Sequence, residues 1–456
     1  MKVLKFGGTS VGTIESLTNV KKIVDGLDRP AVVVVSALGG LTDRLISTAK
    51  AASEGKDSFE EAMIEFRLRH HNIIEALVPE VKRVETRKKV DTLLDQLGDI
   101  YRGLYQSKTL PERTLDLVVS FGERMSSIIV AELLKEAEHK DSLSFMRTER
   151  WFNKNIADRA LTEKLIKEAF PLPLEKTVVT GGFISRDRDS KEITNLGRGG
   201  SDYTAALIAA ALDAEELEIW TDVDGFLTTD PRVVKEARII PTMTFVESME
   251  LCTYGAKVVY PPTIYPVFHK GIPIRILNTF NPEAPGTLIT DNIEGGVTVR
   301  GVSALAKNGL IKIEGALAGN VATVNTRAFN AMSRNGISVL LVGKVDHSQD
   351  VSLIVPIDEM EKALRLLKNE FAGELQSGDI LSINGEAEVT VIAVVGEQIK
   401  QLAGLGARLT NTLWRNNISV KAVSDGASET TIGIVVDSSQ EKQALALIHE
   451  AAIERR

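Results

Sequence analysis

Five short stretches of this 456-residue chain set charged side chains beside glycines, and each could handle an ion. The first is Lys5-Phe6-Gly7-Gly8-Thr9-Ser10. Glycines let backbone N–H groups approach an anion without a Cβ in the way, and the lysine adds a compact positive charge. That lysine precedes the glycines, whereas a P-loop places it after them. No GxxxxGK[ST] occurs, and no GxGxxG follows the first strand, so P-loop and dinucleotide folds are disfavoured. The second stretch, Leu196-Gly197-Arg198-Gly199-Gly200-Ser201-Asp202-Tyr203-Thr204, runs into an alanine-rich helical segment. Ser201 or Asp202 could cap that helix, whose N-terminus attracts anions. Arg198, set among three glycines, is open to a bidentate carboxylate or phosphate.

The third stretch is Trp220-Thr221-Asp222-Val223-Asp224-Gly225, continuing to Thr229-Asp230-Pro231-Arg232. Taken singly, Asx-turns explain its aspartates. The fourth is Tyr254-Gly255-Ala256-Lys257. In the fifth, Phe121-Gly122-Glu123-Arg124, the glycine is expected to interrupt a helix and leave Glu123 at the break, either on the surface or as a receptor for an amine. Each stretch alone also reads as an ordinary turn or a solvated charge. Two lysines and two arginines on glycine turns expected to follow strands point instead to a site that gathers several anions.

The elements that must position these residues read as an α/β domain over residues 1–295. Strands are expected at Lys2–Phe6, Ala31–Ser36, Thr177–Val179, Leu217–Thr221 and Ile272–Leu277. Apolar residues at Ile14, Leu17, Val20 and Ile23/Val24 predict a helix ended by Gly26. Alternating strands and helices imply a mostly parallel sheet covered on both faces, with the site beyond the carboxyl ends of the strands. Residues 50–112, rich in Glu, Lys and Arg, read as an insert of two or three amphipathic helices. Turn formers over 281–300 mark a boundary. Beyond it the chain repeats: NAMSRNGISV at Asn330–Val339 matches NTLWRNNISV at Asn411–Val420, an offset of 81 residues. Ile311/Ile392 and Gly315/Gly396 keep that offset. The order predicts two βαββαβ modules, at 296–385 and 386–456.

Composition narrows the class. A net charge of −8 with 43% hydrophobic residues argues against nucleic-acid binding. The only cysteine, Cys252, excludes an internal disulfide and fits a reducing compartment. Six histidines show no metal-ligand spacing, so no dedicated metal site is expected. No apolar run approaches the ~18 residues of a membrane span, and no secretory signal opens the chain, so a cytoplasmic location is expected.

Together, KFGGTSV at Lys5–Val11, GRGGSDYTAA at Gly197–Ala206, WTDVDG with TTDPR at Trp220–Arg232, and YGAKV at Tyr254–Val258 resemble the aspartate kinases, along essentially the whole chain. NAMSRNGISV and NTFNPEAPGTLI are most similar to the kinase half of bifunctional aspartate kinase–homoserine dehydrogenases. The resemblance implies an amino-acid-kinase-like three-layer αβα domain followed by two ACT-like domains. It implies transfer of the γ-phosphoryl of ATP to the β-carboxylate of L-aspartate, the first step towards lysine, threonine and methionine. By that resemblance, Lys5, Arg198 and Asp202 are catalytic. Ser36, Thr42, Glu123, Arg198, Gly199, Gly200 and Ser201 hold aspartate, Glu123 taking its amine and Arg198 its α-carboxylate. Lys5, Gly7, Gly8, Thr9, Thr221, Asp222, Arg232, Lys257 and Val258 hold the nucleotide, Gly7 and Gly8 through backbone N–H groups. Magnesium bridges ATP phosphates. Some relatives carry a tyrosine for base stacking where this chain has Leu227.

The ACT-like pair implies an amino-acid effector, lysine or threonine, and a homodimer or larger homo-oligomer. Both effector signatures are altered: the glutamine positions of threonine-binding relatives match Lys344 and Asp425, and Leu340 stands where the lysine-binding class has aspartate. An effector-insensitive enzyme, with ACT modules used only for dimerisation, is therefore a second expectation. A catalytically dead amino-acid sensor is the alternative from another class, and the intact set of site residues argues against it.

Overall fold

The computed structural model describes residues 1–151, 154–291, 293, 298–315, 321–343, 350–424 and 429–453. Lys344 and Asp425 lie outside them. The chain divides into two compact units, one of residues 1–226 with 258–291 and one of residues 227–257 with 292–456.

The first unit opens with β1 (Lys2–Phe6), α1 (Ile14–Asp25), β2 (Val32–Val35), α2 (Leu41–Ser53), α3 (Phe59–Leu77), α4 (Glu80–Ser107) and α5 (Glu112–Leu133). Next come β3 (Ala137–His139), β4 (Arg147–Trp151), β5 (Lys154–Ala157), α6 (Arg159–Ala169), β6 (Thr177–Gly181), β7 (Ile184–Asp187), β8 (Ile193–Asn195), α7 (Gly200–Ala211) and β9 (Glu216–Thr221). After β10 (Thr242–Thr244) and α8 (Phe245–Thr253), which belong to the second unit, the chain returns through α9 (Tyr265–Phe268), β11 (Ile274–Asn278) and β12 (Thr287–Thr290). Within the first unit the main sheet runs β12-β11-β9-β1-β2-β6-β3. Its pairings are parallel except β11 with β12. A smaller sheet runs β5-β4-β7-β8.

Side-chain alternation along β1 sorts the two faces. Leu4 and Phe6 enter a core built with α1, α2, α4 and α5. Lys5 points to the other face, where α7 packs over β1, β2 and β9. The charged insert contributes α3 and α4, whose apolar stripes, including Phe66, Ile73, Val90, Leu94 and Leu97, join the same core.

The second unit continues with β13 (Gly301–Glu314), α10 (Val321–Arg334), β14 (Leu341–Gly343), β15 (Val351–Pro356), α11 (Met360–Glu370) and α12 (Ala372–Ser377). It ends with β16 (Ser382–Val395), α13 (Leu405–Arg415), β17 (Ala422–Ser424), β18 (Thr431–Asp437) and α14 (Glu441–Ala452). The six strands order as β14-β15-β13-β16-β18-β17. β13 and β16 are each 14 residues long and antiparallel, with a register shift between Leu305 and Leu310. On one side of that shift β15 pairs with Asn308–Ile313, and on the other β18 pairs with Val389–Val395. Each ACT-like module therefore takes half of each long strand. The cores agree: Ile311, Ile313 and Ile383 pack with α10 and α11, while Val302, Ile392 and Val394 pack with α13 and α14. The division between residues 385 and 386 expected from the repeat lies inside β16.

Residues 227–257 attach to this unit through a buried carboxylate. Glu247 accepts the N–H of Thr244 in a capping box and also binds Arg300 and the Glu397 N–H. Among the described residues no helix is long and apolar enough to cross a membrane.

Candidate active site

The parallel strands of the first unit deliver their carboxyl ends to one place. In register, Phe6 pairs with Val35 and Trp220, Val35 with Gly181, and Asn278 with Thr221. The loops leaving β1, β2 and β6 surround a cleft of about 380 Å³. Its lining includes Lys5, Gly8, Ser36, Thr42, Glu123, Arg198, Gly199, Gly200, Ser201 and Asp202.

Two helix N-termini open on it. α2 starts behind Gly40 (φ 76°) and α7 behind Gly199 (φ 70°), both left-handed and both without a side-chain cap. Glycine adopts that backbone at little cost, and an uncapped first turn leaves N–H groups to meet an anion. The capping role expected for Ser201 or Asp202 is thereby corrected. The helix begins one residue before Ser201, so both side chains sit within its first turn.

Asp202 instead forms an ion pair with Lys5, Oδ1 to Nζ at 2.7 Å, both side chains 12% exposed. A strand residue and a helix residue from across the layer thus fix the ammonium at the cleft. A Cβ on Gly7 would come into ordinary contact with Lys5 Nζ, at 3.4 Å. The Gly7 N–H extends the β1–β9 ladder by donating to the Trp220 carbonyl at 3.2 Å. Gly8 is the member of the pair that lines the cleft.

The cleft is also lined by Glu123, 4% exposed. The Ala37 N–H donates to its Oε1 at 3.1 Å, and among the described residues its buried Oε2 has no hydrogen-bond partner. Burial pushes its carboxyl up to about 8, against the smaller opposing effect of the Ala37 hydrogen bond. The expected helix break at Gly122 does not occur, because α5 runs unbroken from Glu112 to Leu133. The glycine is there for closeness: a Cβ would lie 2.6 Å from the Ala37 Cβ, so its absence lets the helix bring Glu123 against the loop after β2.

Arg198 reaches the cleft from an exposed loop, its guanidinium 5.9 Å from the Tyr260 ring centroid. Among the described residues no carboxylate pairs with it. The cleft thus presents a held ammonium, an open guanidinium, two uncapped helix ends and a buried carboxylate lacking one partner. Such a set can draw a dianion and an amine into one pocket.

The remaining expected residues fall elsewhere. Thr221 ends β9 beside Gly7, and its hydroxyl donates to the exposed Asp222 at 3.2 Å. Val258 belongs to the first unit, whereas Arg232 and Lys257 belong to the second. Arg232 is 85% exposed and pairs with Asp230 at 2.7 Å. The turn carrying Lys257 follows helix α8 rather than a strand. Leu227, also in the second unit, bridges Ile239. Sequence reasoning missed Gly39, Gly40 and Asp43, which line the cleft. The signal was present, since Gly39-Gly40 follow the all-valine β2 as Gly7-Gly8 follow β1. Among the described residues no group of three or more His, Cys, Asp or Glu could hold a metal ion.

A model of the amino acid kinase family matches residues 1–278, and an ACT domain model matches residues 392–452. The chain is 32% identical over 464 residues to the bifunctional aspartokinase/homoserine dehydrogenase of Haemophilus influenzae, covering 99% of this chain and 56% of that protein. It spans about half the length of the bifunctional relatives it matches. Against the lysine-sensitive aspartokinase 3 of Escherichia coli it is 30% identical over 469 residues, covering 99% of each. The crystal structure of E. coli aspartokinase III in complex with aspartate and ADP matches with a TM-score of 0.81 and 29% identity over 100% of both chains.

Proposed function

The chain belongs to the amino acid kinase family and, within it, to the aspartokinases; from that premise we propose that it phosphorylates the β-carboxylate of L-aspartate with ATP. The carrying observation is the cleft in which Lys5, Arg198 and the half-partnered Glu123 stand together. Its volume of about 380 Å³ suits a small amino acid with a phosphoryl group beside it.

In this reading Arg198 clamps the α-carboxylate, and the α-ammonium supplies the partner that Glu123 Oε2 lacks. Ser36, Thr42, Gly199, Gly200 and Ser201 complete the pocket. A β-carboxylate oxygen attacks the γ-phosphorus, the bond to the β,γ-bridging oxygen breaks, and ADP leaves with that electron pair. The products are 4-phospho-L-aspartate and ADP. No base is needed, because a carboxylate is already ionised at pH 7. The barrier lies in bringing two anions together. Lys5 Nζ, fixed by Asp202, and the N-termini of α2 and α7 offset their repulsion at positions set before substrate arrives.

By the family resemblance Gly8, Thr9, Thr221, Asp222, Arg232, Lys257 and Val258 hold the nucleotide. Gly7 supports them by locking β1 to β9. Magnesium comes with ATP as part of the substrate. The kinase domain spans 1–295, and the ACT-like pair binds an amino-acid effector and joins copies of a cytoplasmic homo-oligomer. E. coli aspartokinase III has been solved with lysine and aspartate, which supports an amino acid of this class as effector.

Turnover of ATP with aspartate, glutamate and N-acetylglutamate, the acyl phosphate trapped by hydroxylamine, tests the reading. Aspartate alone should give hydroxamate; turnover with glutamate and none with aspartate would overturn it.

A further inference from the structure

Both loops that floor the cleft are glycine-built, and glycine loops lose more conformational freedom on ordering than any others. They also touch without side chains between them. A Cβ on Gly39 would lie 2.9 Å from the Gly8 carbonyl oxygen, and one on Gly12 would lie 3.0 Å from it and 3.3 Å from the Gly39 nitrogen. Among the described residues no direct hydrogen bond joins residues 7–12 to residues 37–40. The holding group comes from the helical insert. Arg69, half-buried on α3, donates from Nη2 to the Gly12 carbonyl at 3.0 Å and to the Gly39 carbonyl at 2.8 Å.

We propose that Arg69 is a positioning residue that ties the loop after β1 to the loop after β2 and so fixes the lysine-side floor of the cleft. One nitrogen with two N–H bonds serves one carbonyl from each loop, and both carbonyls present the negative end of a dipole to a permanent cation. Charge-assisted bonds of this kind are about twice as strong as neutral ones. The neighbouring Arg67 turns away to Asp91 and Asp95 on α4, so the two arginines of one helix divide the work between the insert and the site. Gly8, Gly39 and Gly40 line the cleft and Gly40 is the N-cap of α2, so a shift between the loops moves the backbone donors relative to Lys5. The insert thereby has a task in catalysis without touching substrate.

The proposal rests on the aspartate kinase reading, and its test separates the two. In the full-length protein, Arg69→Ala is expected to lower kcat by about 10- to 100-fold, the cost of a misplacement near 1 Å, with a smaller change in the KM for aspartate. Guanidinium at tens of millimolar should restore part of that loss. Amide hydrogen exchange should speed up in peptides covering 7–12 and 37–40 and not in α5. Arg67→Ala, which loosens the same helix from α4, should leave kcat unchanged. If Arg69→Ala does not fold, Arg69→Lys decides: it should fold, lose at least fivefold in kcat and show the same exchange signature. Folded Arg69 variants with kcat within twofold of the parent and unchanged exchange in both loops would overturn the proposal. A parent enzyme without aspartate turnover would overturn the kinase reading, and the exchange measurement would still judge Arg69.

Discussion

Two buried carboxylates line the cleft, one beside Lys5 and one on α5, and they are completed differently. Asp202, 9% exposed, has its cation in place in Lys5. Glu123, 4% exposed, has one backbone N–H, and among the described residues no cation pairs with it. A buried charge without a partner is costly and drives the group towards its neutral form, which is the direction seen at Glu123. The difference separates machinery from receptor. The Lys5–Asp202 pair is assembled without substrate, so in the proposed reaction its electrostatics need no reorganisation. On the glutamate side Oε2 lacks a hydrogen-bond partner among the described residues, and in the proposed reaction the substrate ammonium supplies it.

Breaking the Lys5–Asp202 pair should have the largest effect. Lys5→Met should lower kcat by at least about 10²- to 10³-fold, the scale of losing one preorganised stabilising group. It should also cost about 3–5 kcal/mol of stability by stranding Asp202, measurable by urea unfolding. Adding Asp202→Asn should recover much of that stability and none of the activity. A double variant as unstable as the single one would show that the pair is not the unit described here.

The glutamate side should respond in binding. Glu123→Gln should raise the KM for aspartate by about 10- to 100-fold with a lesser fall in kcat, since removing one partner of a charge-assisted contact costs about 1.5–3 kcal/mol. The two carboxylates should also separate by pH. With a carboxyl at about 8 in the folded protein and 4.5 as its ordinary value, the folded state binds more protons between those limits. Stability should therefore fall as pH rises from about 4.5 to about 8 and level off above, and Glu123→Gln should flatten that slope. Over the same range kcat/KM for aspartate should climb to a plateau. Equal slopes in parent and variant would remove Glu123 as the cause.

Arg198→Ala, at an exposed loop, should raise the KM for aspartate by about tenfold, on the scale of one lost charge-assisted contact. Gly122→Ala should be the mildest: overpacking against Ala37 should cost about 1–3 kcal/mol, seen as a lower unfolding midpoint, and disturb aspartate binding more than the Lys5–Asp202 pair.

Local chemistry made much of this legible. β1 was read to the residue because an apolar run ends at a glycine pair, and β9 and α1 to within one residue. Lys5, Arg198 and Glu123 were picked out by type and setting. What the sequence hides is approach through space. Gly122 reads as a helix breaker, because nothing in the chain announces that Ala37 presses against that face. Arg69 reads as one more charge in an amphipathic insert, since its acceptors are backbone carbonyls 57 and 30 residues away. Asp202 reads as a cap because its partner, Lys5, lies at the far N-terminal end of the chain.

The same holds for the repeat, whose 81-residue offset announces a pair of modules but not that they share their strands. With half of β13 and half of β16 in each, the modules have no seam. Pulling either apart strips a strand from the other, so they should melt as a single foldon under load or denaturant. A ligand that tightens one module must then steady the other, which makes the pair one spring rather than two.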